Sequence, residues 1–514
     1  MGEYLFTYDI GTTGVKAGIF TPEGTALGTA YREYKVIYPQ PQWVEQRVDE
    51  VYEAQCEVSQ EVVHKTKVNP KDVAAIGVSC QRATFVPIDK DENPLTNFIG
   101  WQDKRSVKQC EKMKQLIGEE KYYQITGLPI EPTASVSKII WLKENLPEIF
   151  EKTHKFASTQ NVHLRQLGVK NAPCDLPDAS YMGLLDVNCL KWSQELLEHL
   201  DIPVEKMPDL TPSGTLVGSL SEEAAQCTGL VKGTPLVTAG GDNQCSALGV
   251  GVTRPGLVSV GIGTGAAVLI CLEEPFRHPD RALACLAHTV QGAWEMEGIC
   301  FASGAALKWF RDSIGYLEKE IAAKLGIDAY DILNMEASQI PPGSGGLVIM
   351  PTFLGAGAPY WYPKAQAVFL GLTLDADRQT LARAMMEGIC LEIRCILEAM
   401  QRVRKEITEI RIWGGASKSR LWNQIAADIY GAPVVKTKMD DTGLIGAAIC
   451  AGVGVGFFKS MQNGVNSMVR ISETYEPDTK AHKIYDNLFS IYKDAFAALM
   501  NTHIFEKIAG LEQL

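Results

Sequence analysis

A strand–turn–strand unit occurs twice in this chain, once at the head of each half. Near the N-terminus, Tyr4–Tyr8 is rich in β-forming residues, Asp9-Ile-Gly-Thr-Thr-Gly14 has turn chemistry, and Val15–Phe20 reads as the return strand. Midway along the chain, Leu257–Val260, Gly261-Ile-Gly-Thr-Gly265 and Ala266–Cys271 repeat the pattern, and both turns contain Ile-Gly-Thr. A chain of 514 residues is too long for one compact core. The repeat therefore predicts duplicated α/β domains. The expected units are 1–252 and 253–514, divided at Thr253-Arg-Pro-Gly256, where Pro and Gly break structure.

Other segments fill in the two halves. A third strand is expected near Ala26–Val36, a helix over Asp49–Lys65 and a short buried strand over Val73–Ser79. Leu381, Met385, Ile389, Ile393, Leu397 and Met400 recur at helical spacing. Ile484, Leu488, Ile491, Phe496, Leu499 and Phe505 predict an amphipathic C-terminal helix. Thr442–Phe458 is uncharged, but it falls short of the roughly 20 residues that a membrane span needs. Its five glycines point instead to a buried helix.

Composition narrows the partners. The 49 Lys and Arg against 61 Asp and Glu leave a net charge of −12, a balance that disfavours nucleic acid and anionic membranes. The 13 cysteines form no C-x-x-C pair, which excludes a zinc ribbon or thioredoxin motif and suits a reducing cytoplasm. The N-terminus lacks the basic and apolar stretches of a signal peptide.

The glycine-rich turns carry the chemistry. No Gly-Lys dipeptide occurs, so a P-loop is excluded. Gly261–Ala266 fits the loose G-x-G-x-x-A form, yet a β-type run follows where a dinucleotide site requires a helix. In Asp9–Gly14 the glycines let main-chain N–H groups approach an anion, Thr12 and Thr13 add hydroxyls, and Lys16 adds charge. Asp9 is compatible with phosphate only if Mg²⁺ lies between them. Taken alone, the segment is equally an ordinary hairpin turn. With Thr264, the second turn could face the first across a cleft and grip one polyphosphate. Trp413–Ser417, between a strand at Ile410–Ile412 and a helix from Ser419 to Tyr430, leaves room for a flat base or is a routine strand-to-helix turn. Asp242 falls between a strand at Leu236–Ala239 and a helix at Ser246–Val250, at the mouth where α/β proteins bind ligands. It could accept a hydroxyl proton or cap the helix.

Seven strings in this order resemble the FGGY family of carbohydrate kinases: DIGTTGVKAGIF, QRATFVPID, IGWQDKRS, GGDNQCSALG, GIGTG, PTFLGAGAPYW with FLGLTL, and WGGASKSRLWNQIAADIYGAPV. The resemblance covers Tyr4 to Gly456. It implies two duplicated actin/hexokinase-like (ribonuclease H-like) ATPase domains around a cleft, with ATP and Mg²⁺ as cofactors. By this resemblance Asp242 is the catalytic base, Thr12, Thr13 and Lys16 match the first phosphate loop, and Thr264 matches the second. Gly304 lines the nucleotide, Gly415 and Ser419 belong to the adenosine element, and Asp9 lies near Mg²⁺. Gln81, Arg82, Trp101, Asp103, Thr133 and Asn243 line the sugar pocket.

That pocket departs from the glycerol kinases of the family. Their Glu after Gln-Arg is Ala83 here, and their pocket Tyr is Thr133. Asp242-Asn243 follows the xylulokinase pattern. The lost carboxylate is expected to leave Arg82 poorly paired and the pocket too large for glycerol. A pentulose such as xylulose, or a longer polyol, is the expected acceptor. Glycerol itself is one rival reading, and a non-catalytic sugar sensor or actin-like ATPase is another. The expected partners are the sugar or polyol and ATP/ADP, with no nucleic acid and no membrane. The protein is expected in the cytoplasm, and a homodimer is compatible with the reading.

Overall fold

The computed structural model describes residues 2–403 and 406–511. The first large sheet is built from β1 (Tyr4–Ile10), β2 (Gly14–Phe20), β3 (Ala26–Glu33), β4 (Val73–Cys80), β5 (Leu216–Ser219) and β6 (Pro235–Gly241), in the order β5-β6-β4-β1-β2-β3. The second contains β7 (Leu257–Ile262), β8 (Ala266–Leu272), β9 (Ala284–Ala287), β10 (Trp294–Cys300), β11 (Glu409–Trp413), β12 (Val434–Thr437) and β13 (Ile471–Tyr475), in the order β9-β10-β8-β7-β11-β12-β13.

The two sheets repeat one pairing pattern. From β3 to β5 the successive pairs are antiparallel, antiparallel, parallel, parallel and antiparallel. From β10 to β13 the same series recurs, with β9 added at one edge. The duplication read from two turns thus extends through whole sheets. The run after Gly265 is strand β8, as the rejection of a dinucleotide loop requires.

Several boundaries differ from the expected ones. β3 stops at Glu33, and Val36–Ile37 joins a separate small sheet with Glu45–Gln46 and Phe98–Ile99. The helix expected to include Ser246–Val250 runs from Asp242 to Gly249. The C-terminal stripe is split into helices Thr479–Asn501 and Ile504–Leu511, with His503 at a φ of 54° between them. Its buried face carries Tyr485, Leu488, Tyr492 and Phe496, while Ile484 and Ile491 are exposed. The tyrosine at 485 earns the core place because its hydroxyl donates to buried Glu387 at 2.7 Å.

The uncharged segment forms the buried helix Thr442–Gly454. Although it belongs to the second half by sequence, it packs on the first sheet. Leu444, Ile445 and Ile449 share a buried cluster with Leu5, Phe20, Ala75 and Val237. The expected division at 252/253 is therefore crossed at this helix. Among the described residues no helix is long and apolar enough to cross a membrane.

This helix lies directly against the helix Asp242–Gly249. A Cβ at Gly249 would stand 1.9 Å from the Thr442 carbonyl oxygen, and one at Gly446 would stand 1.9 Å from that of Cys245. Only hydrogen fits at either place, so Gly249→Ala and Gly446→Ala should each destabilise the protein by about 1–3 kcal/mol or more. Gly510→Ala, with no atom within 4 Å, serves as the control. Calorimetry should show lower midpoints for the first two alone; equal midpoints for all three would contradict this packing.

Candidate active site

The two turns close in the same way. Gly11 N–H donates to the Gly14 carbonyl at 3.0 Å, and Gly263 N–H donates to that of Gly265 at 2.9 Å. The first turn is tied to the expected sugar pocket. Trp101 Nε1 donates to Thr12 Oγ1 at 2.9 Å, and Gln46 Nε2 donates to the Thr12 carbonyl at 2.7 Å. Gln81 Nε2 in turn donates to Gln46 Oε1 at 2.8 Å. The Thr13 carbonyl accepts from Tyr34 N–H at 3.2 Å.

The second turn is seated on a helix N-terminus. Gly304 N–H donates to the Gly263 carbonyl and Ala305 N–H to that of Thr264, both at 2.9 Å. A Cβ at Gly304 would stand 2.1 Å from the Gly263 oxygen, so the contact requires glycine. Thr264 itself is exposed. Nearby, Trp413 covers Gly261, and Gly415 has open space where a Cβ would point. Ser419 caps the helix Arg420–Tyr430 and donates to Asn334 Oδ1 at 2.7 Å.

Two expected site residues are committed elsewhere. Asp103 is fully buried; one oxygen accepts from Val44 N–H at 2.6 Å, and both bond the Arg105 guanidinium. It fastens these segments and has no idle oxygen for a sugar. Lys16 Nζ is held by Asp441 at 2.7 Å. Burial opposes its charge, but Asp441 outweighs that, so its pKa is raised overall. The Thr133 carbonyl, with that of Pro132, accepts from the buried Lys138 ammonium at 2.9 and 2.7 Å. Burial lowers the Lys138 pKa to about 7.

Asp242 occupies the first helical position after β6, with one oxygen accepting from Asn243 N–H at 2.8 Å. Its side chain keeps 36% of its exposure, and Arg82 Nε lies 3.6 Å from Oδ1. Enclosure raises its pKa, and Arg82 partly offsets the rise.

Arg82 is not poorly paired, contrary to the expectation from Ala83. Its Nη1 and Nη2 donate to Glu297 at 2.9 and 2.8 Å, and its guanidinium lies 4.4 Å from the Tyr181 ring centre. The carboxylate that pairs it comes from β10 in the second half of the chain. Asn243 Nδ2 donates to Glu297 Oε1 at 2.8 Å, and Tyr181 OH donates to Oε2 at 3.1 Å. Burial disfavours charge on Glu297, but Arg82 and these bonds bring its pKa below the ordinary value.

Glu295, two residues earlier on the same strand face, behaves oppositely. Burial and Glu297 push its pKa well up, favouring the protonated acid. Gln244 Nε2 donates to Glu295 Oε1 at 2.6 Å, while Gln244 Oε1 and Glu295 Oε2 are buried without partners.

These partners were not singled out in the sequence. Their signal was present as Glu295-Met-Glu297, two acids at period two in an otherwise buried strand, and as Asp441 just before the uncharged helix.

Asp9 lies on β1 opposite Lys16, and its Oδ1 is buried without a hydrogen-bond partner. Burial, then Asp242, raise its pKa to about 7, with Lys16 opposing. Among the described residues no three metal-binding side chains form a ready cage. Mg²⁺ commonly takes one or two carboxylates, waters and substrate phosphates, and an orphaned carboxylate oxygen beside Asp242 fits that mode.

Residues 4–249 match the N-terminal domain of the FGGY family of carbohydrate kinases, and residues 258–455 match its C-terminal domain. The chain is 30% identical over 510 residues to glycerol kinase 2 of Thermotoga maritima, across 96% of this chain and 98% of that one. It is 31% identical over 505 residues to autoinducer-2 kinase of Escherichia coli, across 96% and 94%. The solved xylulose kinase of Rhodospirillum rubrum is similar with a TM-score of 0.87 at 25% identity, across 98% and 100%.

Asp9 yields a stability test without ligands. Because its folded pKa lies above the ordinary 3.8, ionising it opposes folding. That penalty is absent below pH about 4, grows as pH rises, and is complete above about 7. In Mg²⁺-free buffer, Asp9→Asn should melt several degrees above wild type at pH 8, with the gain shrinking toward pH 4. A wild-type protein as stable as the variant at pH 8 would contradict the buried, unpaired carboxylate.

Proposed function

The chain belongs to the FGGY family of carbohydrate kinases, phosphotransferases that use ATP with Mg²⁺, and on that premise we propose that it phosphorylates a terminal hydroxyl of a four- or five-carbon ketose or polyol, such as xylulose. The observation carrying the reaction is the setting of Asp242: a partly exposed carboxylate at the end of β6, beside Arg82 and across from Asp9. ATP with Mg²⁺ supplies the electrophilic phosphoryl group when bound. Asp242 Oδ accepts the hydroxyl proton as attack proceeds. Thr12, Thr13 and Thr264, with the N–H groups of their turns, hold the phosphates, while Gly304, Gly415 and Ser419 border the nucleoside. Asp9 is the carboxylate toward Mg²⁺. Gln81, Arg82, Trp101 and Asn243 orient the acceptor.

The chain-length preference rests on volume. Ala83 is small and buried, and by the resemblance Thr133 stands where glycerol kinases carry their pocket Tyr. Because Glu297 already pairs Arg82, an unsatisfied guanidinium does not disfavour glycerol, and the preference rests on the smaller side chains at positions 83 and 133 alone. A second reading, favoured by the 31% identity to autoinducer-2 kinase, is that autoinducer-2 is the acceptor.

Two measurements test this. Asp242→Asn should lower kcat by about 10²–10⁴, with little change in ATP affinity; near-normal turnover would remove Asp242 as the base. In steady-state assays with glycerol, erythritol, xylitol, ribulose, xylulose and autoinducer-2, the best four- or five-carbon acceptor should exceed glycerol in kcat/KM by at least about tenfold, or 1.4 kcal/mol. Glycerol matching the best acceptor would overturn the volume argument. Autoinducer-2 leading the panel would select the second reading.

A further inference from the structure

We infer that Glu297 is a positioning residue of the phosphoryl-transfer site: from the second half of the chain it holds the Arg82 guanidinium and the Asn243 amide, and so keeps Asp242 free for the acceptor hydroxyl. The inference rests on the reading of Asp242 as the base.

Its basis is an unequal competition for one cation. Arg82 is buried, and carboxylates of Asp242, Glu295 and Glu297 all lie within 4.0 Å of its nitrogens. Glu297 takes both Nη groups at 2.8–2.9 Å, whereas Nε stands 3.6 Å from Asp242 and Nη1 stands 3.8 Å from Glu295. A bidentate pair fixes the plane of a guanidinium, so Nε is held short of a full bond to Asp242. The Asn243 amide is fixed by the same Glu297 oxygen that Arg82 Nη2 uses. Glu297 thus holds the side chain beside the base in sequence as well as the cation beside it in space.

Without Glu297, Arg82 would be left with Asp242 and Glu295 within reach, and Asp242 is the nearer of the two, at 3.6 Å against 3.8 Å. The guanidinium would swing onto Asp242, and the base would be spent on an ion pair that the acceptor hydroxyl must break. Glu297 comes from β10, whereas Arg82, Asn243 and Asp242 come from the first half. The sugar side of the site is therefore complete only when β10 is docked against the first half, a contact that Tyr181 and Gln244 also make.

The test uses the full chain with its best acceptor. Glu297→Gln should lower kcat at least tenfold while the KM for ATP changes less than twofold, and Glu297→Asp should recover part of the loss. In an Arg82→Gln background, Glu297→Gln should cost less than a further threefold, because the cation it restrains is gone. That double variant also removes both buried charges, so it reports even if Glu297→Gln folds poorly. Glu297→Gln with kcat within twofold of wild type would overturn the inference, as would an undiminished loss in the Arg82→Gln background. Loss of ATP affinity in step with kcat, with no recovery by Asp, would mark a merely structural role and also overturn it. Asp242→Asn separates the two levels: an active Asp242→Asn defeats the reading of the base, whereas an inactive Asp242→Asn beside a fully active Glu297→Gln defeats this inference alone.

Discussion

The guanidinium of Arg82 lies out of water between carboxylates contributed by both halves of the chain. An ion in that position is tolerated only when its hydrogen bonds are met, and removing one member of such a pair costs about 3–5 kcal/mol. Glu297 meets them, with Tyr181 covering the cation's face. The remaining acids adjust to what is left. Glu295 is driven toward its protonated form, Asp242 keeps a raised pKa with some exposure, and Asp9 stays an unpaired carboxylate. Asp242 and Asp9 are thus left as carboxylates without a full ion-pair partner beside one another.

The two turns occupy equivalent places in the duplicated sheets. Each arises where the first two strands of its sheet reverse, and each is closed by a hydrogen bond between its own glycines. Helix Thr442–Gly454, packed on the first sheet without a side chain at its closest contacts, joins the halves behind the site. Its start is adjacent to Asp9, and Asp441 just before it neutralises Lys16. Packing and charge are therefore set by the same segment.

Much of this was legible in the sequence, for identifiable reasons. Strands β1, β2, β7 and β8 are dense in β-forming residues and flanked by glycine turns, so local chemistry sufficed. The Gly-rich helix was legible because it lacks charge. The C-terminal stripe was misread at Ile484 and Ile491 because hydropathy ranks isoleucine above tyrosine, whereas Tyr485 satisfies its hydroxyl on Glu387. Arg82 was misjudged because its partner stands 215 residues away and no local spacing connects them. Lys16 looked free for the same reason, since Asp441 reaches it across nearly the whole chain. Long-range charge pairing is what a linear reading omits, and here it decides which groups remain available for chemistry.

The most direct test of the account is a crystal structure with a non-hydrolysable ATP analogue, Mg²⁺ and the preferred acceptor. Main-chain or hydroxyl groups of both turns, at Thr12–Thr13 and at Thr264, should reach the same triphosphate. An Asp242 oxygen should lie about 2.6–3.2 Å from the acceptor's terminal hydroxyl, with Arg82 still paired to Glu297. Phosphates touching only one turn, or Asp242 turned onto Arg82 and away from the acceptor, would contradict it.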